Sequence, residues 1–142
     1  GGGVGLAAAC DYALATVNSA VKLSEFTIGI GPFVIAPAVE RKMGKAALAE
    51  MTIAADEWKN AYWAKEKGLY AKVFENIADL DKEIDILSNK LAGYNPEALQ
   101  AMKKLLWKGT EEWDSLLIDN AKISGRLVLS EATKSALSKF KK

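Results

Sequence analysis

GGGVGLAAACDYALATVNSAVKLSEFTIGIGPF, residues 1–33, is the stretch from which the rest of the chain is read. Three glycines open into a small-residue segment, residues 5–10, and a β-branched, apolar segment follows. Fourteen residues past Asp11 stands a lone carboxylate, Glu25, ahead of a second glycine-rich turn at Gly29, Ile30 and Gly31. Glycines where a helix begins let a ligand approach the backbone closely. They also leave N–H groups pointing outward at the positive end of the helix dipole. Such a place suits an anion or a developing oxyanion. On this reading Gly1, Gly2 and Gly3 supply N–H donors and Glu25 moves a proton.

The chain has 142 residues, enough for one domain with a core of its own. Hydrophobic residues make up 50% and charged residues 26%, which is the balance of an ordinary globular protein. A formal net charge of +1 gives nucleic-acid binding no electrostatic field to work with. A single cysteine excludes an intrachain disulfide framework and fits a reducing compartment. Without histidine, neither a zinc site nor a Ser–His or Cys–His pair can be built within one chain, so no metal is expected. Acid–base chemistry is left to carboxylates, lysines, tyrosines and the backbone. No apolar run reaches the roughly 18 residues of a membrane span, and there is no basic-then-apolar leader. The chain opens on glycine, inside a segment read as functional, and is expected to be the later part of a longer polypeptide.

Outward from the opening stretch, residues 3–10 predict a short helix and residues 11–17 a buried strand. Residues 18–20 predict a turn and residues 21–23 a short extended piece. Residues 26–30 are apolar and β-branched but are broken at once by Gly29, Gly31 and Pro32. Glu25 therefore sits at the mouth of a turn among apolar neighbours, where desolvation equips a carboxylate for general acid or base work. Residues 33–43 predict a helix with Pro37 in its first turns and Gly44 past its end, and residues 45–55 a second helix. Asp56 is read as the cap of a third helix over residues 57–67, closed by Gly68, with a strand over residues 69–74. Strand and helix alternate through this half, the pattern of an α/β unit.

After Glu75 the chain reads as all helix. Asn76 caps a helix whose Ile77, Leu80, Ile84, Leu87 and Leu91 form a seam read as core, ending at Gly93. Asn95, Pro96 and Glu97 open the next, to about Lys108. Residues 110–129 predict a long helix, and Ser130 caps a last one running into Lys142. The expected division is residues 1–75 and residues 76–142.

Three blocks together resemble the second half of a crotonase-type protein of the enoyl-CoA hydratase/isomerase superfamily. They are GGGVGLAAACD, SEFTIGIGP and VERKMGKAALAEMTIAADEWKNAYWAKEKGLYAKVFE, and the tail SEATKSALSKF is loosely similar to the family's end. The family's pattern is a GGG-x-x-L-A-x-x-C-D block, a P-E-x-x-x-G-x-x-P block and a closing A-x-x-x-G-L-V segment. The resemblance implies a spiral β/α core followed by a helical C-terminal region that builds trimers, often paired into hexamers. It also implies a coenzyme A thioester as substrate, with no cofactor beyond that coenzyme A, and stabilisation of an enolate-like thioester oxygen by two backbone N–H groups. One donor matches Gly2; the other belongs to the family's earlier half. Gly1, Gly3, Gly5, Pro32 and Phe33 match substrate-contacting positions.

The family's hydratases carry two carboxylates. The first position matches Gly5 here and the second matches Glu25, so the first is absent and the second kept. After its P-E block the family usually continues P-G-x-G-G, whereas Pro32 is followed here by Phe33, Val34 and Ile35, which makes the pocket bulkier or drier. Hydration of a 2-enoyl thioester uses one group to activate water and another to deliver the α-proton. Shifting a double bond from the 3- to the 2-position needs one base, which takes a proton at C2 and returns it at C4. Both activities stay open, as does a non-catalytic acyl-CoA-binding or assembly member, or an inactive fragment. The expected location is cytoplasmic, or the mitochondrial matrix in a eukaryote.

Other residues read more plainly. Asp11 is a structural hydrogen-bonding residue, and Cys10 is a buried, inert thiol. Trp58, Trp63, Trp107 and Trp113 are packing or subunit-contact residues. Arg126, Lys134, Lys139, Lys141 and Lys142 give the tail a positive bias, each one fitting a solvated face, while the resemblance implies that the last helices lie near the coenzyme's phosphates.

Overall fold

Helix α1, Gly2–Ala9, is built from glycine, alanine, valine and leucine, and its buried face of Val4, Gly5 and Ala8 packs against helix α2. The computed structural model describes residues 1–139; Lys141 and Lys142 of the basic tail lie outside the described residues. Small residues on this face let the two backbones approach closely. Helix α2, Ala36–Ile53, carries Pro37 in its first turn and is broken at Gly44, whose φ of 82° and ψ of 163° are not helical. The two helices expected on either side of Gly44 thus follow one another directly within this element, and the break between them falls where glycine allows it.

Strand β1, Leu14–Thr16, pairs in parallel with β4, Lys72–Phe74, while β2, Ala20–Val21, pairs antiparallel with β3, Lys59–Asn60. Both longer strands are shorter than the sequence suggests. The third helix is also corrected. It is α3, Ala61–Glu66, capped by Asn60, whose side chain accepts from the Trp63 N–H at 2.9 Å. Asp56 does not cap it, because Lys59 and Asn60 are drawn into the β2 ladder before the helix starts. The core gathers Val4, Ala8, Val21, Leu23, Ala38, Val39, Met51, Ala64 and Leu69 from all these elements. Full burial of Leu23, Met51 and Leu69 contributes about 1.5–3 kcal/mol each.

The helical remainder follows its caps. Asn76 accepts from the Asp79 N–H to start α4, Ile77–Ala92, and Asn95 starts α5, Pro96–Leu106. Helix α6 spans Trp113–Val128, and Ser130 caps α7, Glu131–Ser138. The seam of α4 is not core: Ile77 is 68% exposed, Ile84 and Leu91 are exposed, and α4 covers only the narrow β1–β4 pair. Cys10 is exposed rather than buried, because it follows α1 as its C-terminal cap, outside the packed face. From residue 76 onward, Thr133 is the one residue that is fully buried among the described residues. Among the described residues no helix is long and apolar enough to cross a membrane.

Candidate active site

Helix α1 starts on Gly1 as its cap residue, with no side chain closing that end. First-turn N–H groups have no carbonyl within their own helix, so those of Gly2 and Gly3 are free donors at a positive helix end. Both glycines are exposed, and a Cβ added to either would meet nothing within 4 Å. Packing does not require glycine there; open backbone is what the positions provide.

Glu25 lies beside this helix end. It occupies the first turn of a 3-10 segment, Ser24–Ile28, that closes on Gly29 with φ of 80°. A Cβ built on Gly1 would stand 3.5 Å from Glu25 Oε1, and the Gly1 nitrogen donates to the Lys22 carbonyl at 2.5 Å. The two halves of the sequence reading thus meet in space. Glu25 Oε2 is buried and has no hydrogen-bond partner among the described residues. Native proteins seldom leave such an oxygen unsatisfied, and a functional role is one reason they do.

Gly5 is buried, and a Cβ added to it would lie 2.3 Å from Ile35 Cγ2 and 2.7 Å from Ile35 Cβ. The isoleucine fills the space into which a side chain at position 5 would grow. No signal in the sequence joined Ile35 to Gly5, since only folding brings residues 5 and 35 together. Pro32 is buried, and the Phe33 ring folds back so that a Cβ on Gly31 would be 2.7 Å from it. Phe33 borders two cavities. One, of about 510 Å³, is apolar, with Phe26, Pro32, Leu48 and Ile53. The other, of about 520 Å³, includes Arg41, Lys108 and Trp113.

A groove of about 330 Å³ runs along Gly1, Gly2 and Gly3 and is bordered by Lys22, Ser24, Trp58 and Tyr70. Ser24, rather than its neighbour Glu25, faces this groove. Lys22 Nζ stands 4.5 Å from the centre of the exposed Trp58 ring, a cation–π contact at the groove's edge. No signal in the sequence joined these two residues to the glycines.

At the opposite end of α1 a second polar cluster is structural. Lys42 Nζ donates to the carbonyls of Cys10 at 3.0 Å and Asp11 at 2.7 Å, placing a cation at the negative end of the helix. Burial, the largest influence on it, pushes the Lys42 ammonium below the usual lysine range. Asp11 pairs with Lys103 and accepts from the Trp107 indole N–H at 2.7 Å, tying α5 to the core. The Arg41 guanidinium lies 4.3 Å from the Trp107 ring centre. Trp113 meets Trp107 edge-on at 5.8 Å and packs on the core. Among the described residues no three His, Cys, Asp or Glu side chains gather to hold a metal.

This architecture is that of the crotonase class. An enoyl-CoA hydratase from Mycobacterium avium superposes on 98% of the chain with a TM-score of 0.88 and 31% identity, the chain covering 54% of that protein. The fold persists at 20% identity in an enoyl-CoA hydratase/isomerase from Pseudoalteromonas atlantica T6c, with a TM-score of 0.87, over 99% of this chain and 56% of that one. The chain belongs to the enoyl-CoA hydratase/isomerase family, whose sequence pattern matches residues 1–138. It is also 32% identical over 112 residues to the 2,3-dehydroadipyl-CoA hydratase of Escherichia coli (strain K12). That match covers 78% of this chain and 43% of the relative, so the chain spans about half the length of the proteins it resembles.

Proposed function

We propose that the protein carrying this chain acts on enoyl-CoA thioesters. Glu25 moves a single proton, and the Gly2 N–H stabilises the thioester oxygen as negative charge develops on it. Gly1, Gly3, Pro32 and Phe33 border the substrate, and coenzyme A enters only as part of it. The observation that carries the finer reading is the fit of Ile35 over Gly5. Ile35 matches a glycine of the family's P-G-x-G-G run, and Gly5 matches a hydratase carboxylate. Loss of the acid and filling of its space therefore go together.

One carboxylate is enough to move a double bond. Glu25 takes a proton from C2 of a 3-enoyl thioester, and the released electron pair spreads into the thioester carbonyl and along the chain. The proton then returns at C4, leaving the 2-enoyl product and Glu25 in its starting state. Ile35 puts a methyl group where hydration would need a group to activate water. Isomerisation is favoured over hydration on this ground, although two of the similar proteins bear the name hydratase. The exposed apolar residues of α5 and α6, among them Met102, Leu105, Leu106 and Ile118, suit the trimer or hexamer that the family implies.

The test is an assay of the complete protein with 3-enoyl and 2-enoyl thioesters. Conversion of the 3-enoyl substrate, abolished in Glu25→Gln, is expected. Hydration of the 2-enoyl substrate without isomerisation overturns the one-base reading. Tight acyl-CoA binding with no turnover of either substrate makes the protein a non-catalytic member.

A further inference from the structure

We infer that Thr133, in the last helix, is a positioning residue for Glu25; this rests on the reading of Glu25 as the acid/base. Thr133 is 1% exposed, the buried polar residue of the described chain, in a region where no other residue is fully buried. Helix α7 is thus seated by Thr133 on the turn behind Glu25, and it also meets α6. Thr133 Oγ1 donates to the Gly29 carbonyl at 3.0 Å and to the Leu127 carbonyl at 2.8 Å, one proton shared between two acceptors. Ser130 Oγ donates to Thr133 Oγ1 at 3.3 Å and accepts from the Thr133 N–H at 3.3 Å, fixing the hydroxyl's direction.

The Gly29–Ile30 peptide group is what this hydroxyl holds. Its carbonyl side accepts from Thr133, and its N–H side, that of Ile30, donates to the Glu25 carbonyl at 3.1 Å. A peptide unit is planar and stiff, so its two bonds turn together. Tilting the Gly29 carbonyl away from Thr133 tilts the Ile30 N–H away from Glu25 and loosens the turn that aims the carboxylate. Gly29 is constrained twice. Its φ of 80° is left-handed, and a Cβ there would lie 2.7 Å from Thr133 Oγ1 and 3.0 Å from Thr133 Cα. The helix backbone therefore presses on the turn at a point where only glycine fits.

The experiment uses the complete protein, with kcat and KM measured on a 3-enoyl thioester for Thr133→Val, Thr133→Ser and Glu25→Gln. Misplacing a reacting group by about an ångström lowers turnover up to roughly a hundredfold, so Thr133→Val is expected to lose kcat on the order of tenfold or more while KM stays near wild type. Thr133→Ser keeps the hydroxyl and should restore kcat, and Thr133→Val should add no further loss in a Glu25→Gln background. Wild-type kcat in a folded Thr133→Val protein overturns the inference while leaving Glu25 intact. Full activity of Glu25→Gln overturns the Glu25 reading instead. Should the valine protein not fold, Thr133→Ser decides: wild-type kcat is expected, and lost kcat in a folded serine protein overturns the hydroxyl's role.

Discussion

Ile35 stands directly over Gly5, so close that a Cβ at position 5 would lie 2.3 Å from Ile35 Cγ2. Real carbon atoms do not approach to that distance, and Ile35 is held by its place at the start of α2. The absence of a side chain at position 5 is therefore built into the packing of α1 on α2.

Placing a carboxylate at position 5 by one change should fail. Gly5→Glu or Gly5→Ala overpacks the α1–α2 contact and is expected to destabilise by about 1–3 kcal/mol, read as a lower melting midpoint. The double variant Gly5→Glu with Ile35→Gly makes room and should recover part of that stability. It should also raise hydration of a 2-enoyl thioester relative to isomerisation. A Gly5→Glu protein as stable as wild type speaks against the lock.

Glu25→Gln keeps the shape of the side chain and removes its ability to take a proton. Turnover is expected to fall by roughly 10²–10⁴. Binding of a non-reactive acyl-CoA, measured by calorimetry, should change little, because the Gly2 and Gly3 N–H groups are untouched.

Acid should weaken the attachment of α5. The Lys103 ammonium, through its hydrogen bond, holds the Asp11 carboxyl below its ordinary value of 3.8; burial opposes this and the Trp107 indole N–H adds to it. A carboxyl lowered in the folded state stabilises the fold fully above its ordinary value, and this contribution is lost as pH falls through the lower, folded value. Asp11→Asn should therefore melt below wild type at about pH 7, with the gap closing towards about pH 2. A gap that widens on acidification contradicts this account.

Gly44 tests backbone strain apart from packing. Nothing lies within 4 Å of a Cβ added there, yet φ is 82° and ψ 163°. Gly44→Ala is expected to cost about 1–3 kcal/mol through conformation alone, seen as a lower denaturation midpoint. The loss should not be relieved by trimming any neighbour.

Local chemistry was legible in the sequence wherever the cause lies within a few residues. Asn76, Asn95 and Ser130 cap α4, α5 and α7 because each side chain reaches an N–H two or three positions on. The glycine run opens α1, and Gly44 breaks α2, for reasons carried by those residues alone. Glu25 was singled out by its place at the mouth of a glycine-rich turn and Gly2 by the family resemblance, and the fold sets Glu25 beside Gly1, where a Cβ would stand 3.5 Å from its Oε1.

What the tertiary structure decided are the matters that depend on residues far apart in the chain. Asn60 replaces Asp56 as a cap because β3 pairs with β2, some forty residues earlier. Cys10 is exposed and the α4 seam half-open because burial depends on what covers a face, which periodicity does not encode. The filling of Gly5 by Ile35 and the grip of Thr133 on Gly29, 104 residues away, follow from packing and have no local signature. Sequence by itself set which groups this chain can offer for chemistry: glycine amides, carboxylates such as Glu25, and no histidine. Only the folded chain set what surrounds them, because close packing is a property of surfaces brought together and not of residues in order.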